Sequence, residues 1–211
     1  MAAAQVKICG LSTPATMDAA CEAGAAFVGL VLYPPSPRAV TPAEAAALAA
    51  RVPPGVAKVA LTVAPDDDAL AALVALPLDM VQVHGVDDAA RLGAIRERLG
   101  LPLIAARGVA APEDVDAALA LAGVADMLLL DAKPADAPLP GGNGVAFDWR
   151  LLAGRRIGVP WMLAGGLTSA NVAMARALTN ARFVDVSSGV ERAPGEKDPA
   201  RIRAFVAAAR G

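Results

Sequence analysis

Histidine occurs once and cysteine twice in 211 residues, too few for a zinc site of four cysteines, of two cysteines with two histidines, or of three histidines. No metal is expected. Aromatic residues make up only 3% of the chain, so a core must be built from aliphatic side chains and alanine. With 56% hydrophobic residues, this length suffices for one well-buried core, and no linker-like stretch divides residues 1–211 into more than a single domain. Basic charge is not in excess either: 19 Lys and Arg against 21 Asp and Glu give a net charge of −2 and a pI near 5.4. That excludes the basic stripe a nucleic-acid partner requires and points to a small-molecule or protein partner. Long apolar runs are missing too. The mean hydropathy of +0.49 reflects alanine, and no window of about 18 residues is free of charge, Gly and Pro, so no membrane span is expected. Met1-Ala2-Ala3-Ala4-Gln5 lacks the regions of a signal peptide, which predicts a cytoplasmic protein whose cysteines stay reduced.

What the chain does contain is a repeated way of ending strands. Val6-Lys7-Ile8 stops at Cys9-Gly10, Leu128-Leu129-Leu130 at Asp131, Trp161-Met162-Leu163 at Ala164-Gly165-Gly166, and Phe183-Val184-Asp185-Val186 at Ser187-Ser188-Gly189. Parallel strands bring such ends to one face. Between the ends, helical signals recur: Thr13-Pro14, Thr41-Pro42-Ala43-Glu44 with a capping box, Asp66, Asp88, Pro112 and Pro199 each open a helix. Strands are predicted at 27–32, 57–63, 80–83, 103–106, 127–130, 161–163 and 183–186, and helices at 15–23, 42–51, from 66, 88–99, 112–121, 148–153, 171–178 and 199–209. Eight strand and helix alternations with short connections fit an α/β single-domain (β/α)8 TIM barrel better than an open sheet, and no Gly-x-Gly-x-x-Gly follows strand 1. The longest connection, 132–147, is rich in Pro and Gly, the composition of a functional or mobile loop.

The barrel sorts the candidates. Asp131 follows its strand and Asp126 precedes it, so only Asp131 belongs to the site face, where a partly buried carboxyl is suited to general acid work. Cys9 at the end of strand 1 is a candidate nucleophile or base, a role that asks for an accessible and substantially ionised thiol, whereas Cys21 falls in a helix interior. Gly165 and Gly166 after strand 7, with Ser188 and Gly189 after strand 8, let backbone N–H groups approach a phosphate. Arg38, on a loop stiffened by Pro34, Pro35 and Pro37, suits a forked contact to a carboxylate. His84, Arg107 and Asp185 stand at strand ends as supporting or purely structural residues.

Lys7-Ile8-Cys9-Gly10-Leu11, Tyr33-Pro34-Pro35-Ser36-Pro37-Arg38, Val81-Gln82-Val83-His84-Gly85, Leu130-Asp131, Gly141-Gly142-Asn143-Gly144 with Phe147-Asp148-Trp149, Leu163-Ala164-Gly165-Gly166-Leu167 and Asp185-Val186-Ser187-Ser188-Gly189-Val190-Glu191 occur in that order. Together with Pro194-Gly195-Glu196-Lys197-Asp198 they resemble the phosphoribosylanthranilate isomerases of tryptophan biosynthesis over the whole chain, with Asn143 and Pro35 in place of the usual Thr and Lys. The resemblance implies an Amadori rearrangement of a phosphosugar substrate without a cofactor, in a monomer or homodimer. It implies Asp131 as acid, Cys9 as base, Arg38 on the anthranilate carboxylate, and Gly165, Gly166, Ser188 and Gly189 on the phosphate, with His84 and Asp185 also in contact with substrate. The related isomerase of histidine biosynthesis would carry Asp in place of Cys9, and a barrel epimerase would need metal-binding histidines. A non-catalytic phosphosugar-binding barrel would not need both Cys9 and Asp131.

Overall fold

The computed structural model describes residues 3–133 and 146–211. Eight parallel strands hydrogen-bond in chain order into a closed barrel: β1 (Gln5–Cys9), β2 (Phe27–Val31), β3 (Ala57–Val63), β4 (Met80–His84), β5 (Leu103–Val109), β6 (Met127–Ala132), β7 (Trp161–Leu163) and β8 (Phe183–Val186). The ring closes where β8 pairs with β1, with Lys7 opposite Asp185. Helices α1 (Pro14–Glu22), α2 (Pro42–Ala49), α3 (Asp67–Val74), α4 (Ala89–Leu99), α5 (Pro112–Leu119), α6 (Val172–Thr179) and α7 (Pro199–Arg210) lie in the connections. Their starts follow from local chemistry. At α2, Glu44 N–H donates to Thr41 Oγ1 at 3.3 Å and Thr41 N–H to Glu44 Oε2 at 2.7 Å, a complete capping box within which Pro42, the first helical residue, has no amide to satisfy.

The structure departs from the expected elements in four places. β5 and β6 both run past their expected ends, β5 through Val109 and β6 through Ala132 so that Asp131 lies within its strand, because Arg107, Gly108 and Val109 still pair with Leu130, Asp131 and Ala132. The helix expected to reach Leu121 ends at Leu119 and tightens into a 3-10 turn, Ala120–Gly123. Between β6 and β7 the expected short α-helix is a single 3-10 turn, Trp149–Leu152, opened by Asp148 accepting from Arg150 N–H at 3.0 Å. After β8 a 3-10 turn, Ser188–Val190, leads into an antiparallel hairpin of β9 (Glu191–Ala193) and β10 (Glu196–Lys197). Much of the long connection, including Gly141-Gly142-Asn143-Gly144, lies outside the described residues.

Alternation along the strands divides the apolar residues into layers. Phe27, Val59, Ile104, Met127, Leu129 and Met162 form one cluster, the plug of the barrel interior. The intervening strand residues, among them Val6, Ile8, Val28, Leu128 and Val184, belong to the outer clusters shared with the helices. Cys9, Asp131 and Asp185 share their parity with the plug residues, so they occupy the interior where the strands end. No helix among the described residues is long and apolar enough to cross a membrane.

Candidate active site

A pocket at the carboxyl ends of the strands is lined by Cys9 from β1, Arg38 from the loop after β2, Gln82 and His84 from β4, Asp131 from β6, Gly165 and Gly166 after β7, and Asp185, Ser187, Ser188 and Gly189 at the end of β8. Thus all nine residues that the sequence nominated for the site reach one cavity. Arg107 does not line it and pairs instead with Asp87.

Asp131 shows part of its side chain to the pocket and is otherwise enclosed by protein. Its Oδ1 accepts from Ala132 N–H at 2.7 Å. Loss of water pushes the carboxyl up to about 7, against the pull of that hydrogen bond and with a smaller push from Asp185. A carboxyl in this state holds a proton near neutrality and can deliver it. Gly165 lets β7 end against it: at φ +84° a side chain would be strained, and a Cβ there would lie 2.6 Å from the Ala132 nitrogen and 3.3 Å from Asp131 Oδ1.

Cys9 is 3% exposed, and burial pushes its thiol up more strongly than the adjacent Lys7 ammonium pulls it down. The expectation of an accessible thiol already substantially ionised is therefore corrected: Cys9 faces the pocket but is covered and favours the protonated form. Cys21, expected inside packed helix, is only partly buried, and both cysteines are free.

The residue that sequence reasoning passed over is Lys7. It is fully buried, its Nζ donates to Asp185 Oδ1 at 3.0 Å, and its ammonium is near enough to Cys9 to pull the thiol toward the thiolate. Its signal was legible: a lysine two residues before Cys9 in an otherwise apolar strand shares the thiol's face. Gly29 on β2 makes the space, since a Cβ there would sit 2.9 Å from Cys9 Sγ and 3.2 Å from Lys7 Nζ. Asp185, nominated for substrate contact, thus lines the pocket while bonded to Lys7. Across the barrel Gln82 Nε2 and His84 Nε2 lie 2.8 Å apart, and Gln82 Oε1 is buried without a hydrogen-bond partner among the described residues.

Arg38 is 6% exposed rather than a solvated loop residue. Its Nε and Nη2 donate to Glu191 Oε1 and Oε2 at 2.7 and 2.9 Å, so one edge of the guanidinium is held by protein. Glu191 and Lys197, both buried in the β9–β10 hairpin, were also passed over. Only their places in motifs hinted at them, Glu191 closing the motif of residues 185–191 and Lys197 lying within Pro194-Gly195-Glu196-Lys197-Asp198.

Residues 6–208 match the family model described as N-(5'-phosphoribosyl)anthranilate isomerase. The N-(5'-phosphoribosyl)anthranilate isomerase of Paracoccus denitrificans is 61% identical, over 98% of this chain and 97% of its own length. A crystal structure of phosphoribosyl anthranilate isomerase in complex with reduced 1-(o-carboxyphenylamino)-1-deoxyribulose 5-phosphate superimposes with a TM-score of 0.85 at 33% identity, covering 99% of each chain. Crystallised monomers of the dimeric isomerase from Thermotoga maritima give 0.85 at 32% identity, again over 99% of each chain. On the strength of the family match and the relative's identity, the chain belongs to the N-(5'-phosphoribosyl)anthranilate isomerase family.

Proposed function

We propose that this chain converts N-(5-phosphoribosyl)anthranilate to 1-(2-carboxyphenylamino)-1-deoxyribulose 5-phosphate in tryptophan biosynthesis, with Asp131 as general acid and Cys9 as general base. The observation that carries the assignment is that a carboxyl able to give a proton and a thiol backed by an ammonium open into one cavity. Asp131 is kept protonated by burial, and Cys9 lies beside an ammonium that favours its thiolate.

Asp131 gives its proton to the furanose ring oxygen as the bond from that oxygen to C1 breaks. The anthranilate nitrogen supplies the electron pair that makes the C1=N Schiff base, and the ring oxygen becomes the C4 hydroxyl. Cys9 thiolate then takes the proton from C2, and the electrons of that C–H bond form C1=C2 while the C=N pair returns to nitrogen, giving a neutral enolamine. The enolamine becomes the ketone by gaining a proton at C1 and losing one from the C2 hydroxyl, so substrate and product are isomers. Lys7 offsets the charge of the thiolate, and Asp185 keeps Lys7 in place and charged. Arg38 receives the anthranilate carboxylate, the turns at Gly165-Gly166 and Ser188-Gly189 receive the phosphate, and His84 borders the sugar.

We read residues 1–211 as one barrel domain working in the cytoplasm, and the dimeric relative makes a homodimer a reading alongside the monomer. A fluorescence assay following loss of N-(5-phosphoribosyl)anthranilate tests the function. Steady binding of the reduced product analogue without any turnover would leave a non-catalytic barrel instead.

A further inference from the structure

Two buried charged residues beside the pocket have no part in the chemistry above. Glu191 is 6% and Lys197 5% exposed, and neither lines the cavity. Burying such charges is costly unless each is paired and hydrogen-bonded. Here the pairs form a continuous chain. Arg38 makes its forked contact to both oxygens of Glu191. Lys197 Nζ donates to Glu191 Oε1 at 2.5 Å, to the Ser187 carbonyl oxygen at 2.9 Å and to Ser187 Oγ at 3.0 Å. The chain therefore runs from the loop after β2, through the β9–β10 hairpin, to the end of β8. Only its two ends, Arg38 and Ser187, border the pocket. The hairpin is itself seated against the Arg38 loop: a Cβ on Gly195 would lie 2.5 Å from the Pro37 carbonyl oxygen.

Both ends are held in more than one direction. The two oxygens of Glu191 fix the plane of the guanidinium as well as its position. Lys197 grips Ser187 by main chain and side chain at once, directly before the Ser188–Val190 turn. We propose that Glu191 and Lys197 are positioning residues that tie the guanidinium of Arg38 to the turn at Ser187, fixing the separation at which the two anionic ends of the substrate are read. The inference rests on the assignment of Arg38 to the carboxylate and of Ser188 and Gly189 to the phosphate. Its consequence is selectivity for phosphosugars that carry a carboxylate at the matching distance, over those that carry the phosphate alone.

The test compares the wild type, Arg38→Met, Glu191→Gln, their double variant and Lys197→Met. It measures kcat and KM for N-(5-phosphoribosyl)anthranilate and competitive inhibition by inorganic phosphate and by the reduced product analogue, at a temperature where melting curves show all of them folded. Glu191→Gln is expected to raise KM and the analogue's inhibition constant roughly tenfold, the scale of one charged hydrogen bond, with kcat within about threefold. On the Arg38→Met background it should add less than about twofold, because its effect passes through that arginine. Lys197→Met should raise the inhibition constants of phosphate and analogue by the same factor. Full additivity of Arg38→Met and Glu191→Gln, or losses confined to kcat or to melting temperature, would overturn the tie. Arg38→Met with an unchanged KM would instead show that the carboxylate assignment itself is wrong. Should Glu191→Gln not fold, Lys197→Met decides alone: unchanged phosphate inhibition refutes the inference.

Discussion

The proposed acid and base are both largely withdrawn from water, and that acts on each in the same direction but to different effect. For Asp131 it produces the protonated carboxyl that the proposed ring opening calls for. Asp131→Asn keeps the shape and loses the proton, so turnover should fall roughly 10²- to 10⁴-fold while affinity for the reduced product analogue stays within a few fold. The same residue carries a stability signature. From its ordinary value of 3.8 up to about 7, the unfolded chain has released this proton and the folded chain has not. Stability contributed by the protonated form is therefore complete below pH 4 and is lost as pH rises through about 7. At pH 8 Asp131→Asn should be more stable than the wild type, by on the order of 2–4 kcal/mol. Urea melts between pH 4 and 8 giving parallel curves for the two proteins would refute this. For Cys9 burial opposes the chemistry, and Lys7 is the counterweight. Iodoacetamide should modify Cys9 slowly and in step with loss of activity, and the product analogue should shield Cys9 while leaving the partly exposed Cys21 unaffected. Cys9→Ser should fold and lose activity by roughly 10²-fold or more. Mass spectrometry locating the label on Cys21 alone, with activity lost in parallel, would remove Cys9 from the mechanism.

At the scale of elements, the strands were legible because most are short apolar runs soon followed by Gly, Asp, Arg, Ser or Pro, and the helices because Pro, Thr and Asp mark most of their first turns. What escaped were features fixed by pairing across the fold. β5 is longer than its apolar run because its partner β6 continues to offer hydrogen bonds beyond Arg107. The β9–β10 hairpin has five residues in its two strands, too few for any period, and is held by Glu191 and Lys197 contacts that span other loops. Lys7 could be placed inside by alternation, but its partner could not, since Asp185 meets it only where β8 closes onto β1. That seam supplies its own test. Lys7→Met leaves a buried carboxylate unpaired and should cost roughly 3–5 kcal/mol. Adding Asp185→Asn should recover much of that stability, yet turnover should remain at least about tenfold down because Cys9 has lost its neighbouring ammonium. A stable double variant with near-wild-type turnover would reduce the ion pair to a structural staple.

Across the whole molecule, chemistry and stability are separated along the barrel axis. The interior below the pocket is an apolar plug in which Val59, Ile104, Leu129 and Met162 are fully buried, and only the layer where the strands end is polar. The two aspartates that flank the apolar run of β6 measure this separation with the same chemical change. Asp126, at the opposite end from the pocket, accepts from Arg96 Nε and Nη2 at 2.8 Å each and from Leu103 N–H at 2.8 Å. These contacts hold α4 and the start of β5 together, and the arginine keeps this carboxyl below its usual range. A carboxylate so held stabilises the fold above its ordinary titration range and loses that contribution as the pH falls through its lowered value. Asp126→Asn should therefore cost about 1 kcal/mol at pH 7, a modest figure because the arginine is half exposed, and should leave kcat and KM unchanged. Asp131→Asn should show the mirror image, a gain in stability at that pH with the loss of turnover. The sign reversal is what identical amide replacements at two ends of one strand can reveal and what general damage to the barrel would not produce. A fall in kcat for Asp126→Asn comparable with that for Asp131→Asn would mean that strain at the base of β6 reaches the strand ends, and the plug would then be part of the catalytic machinery.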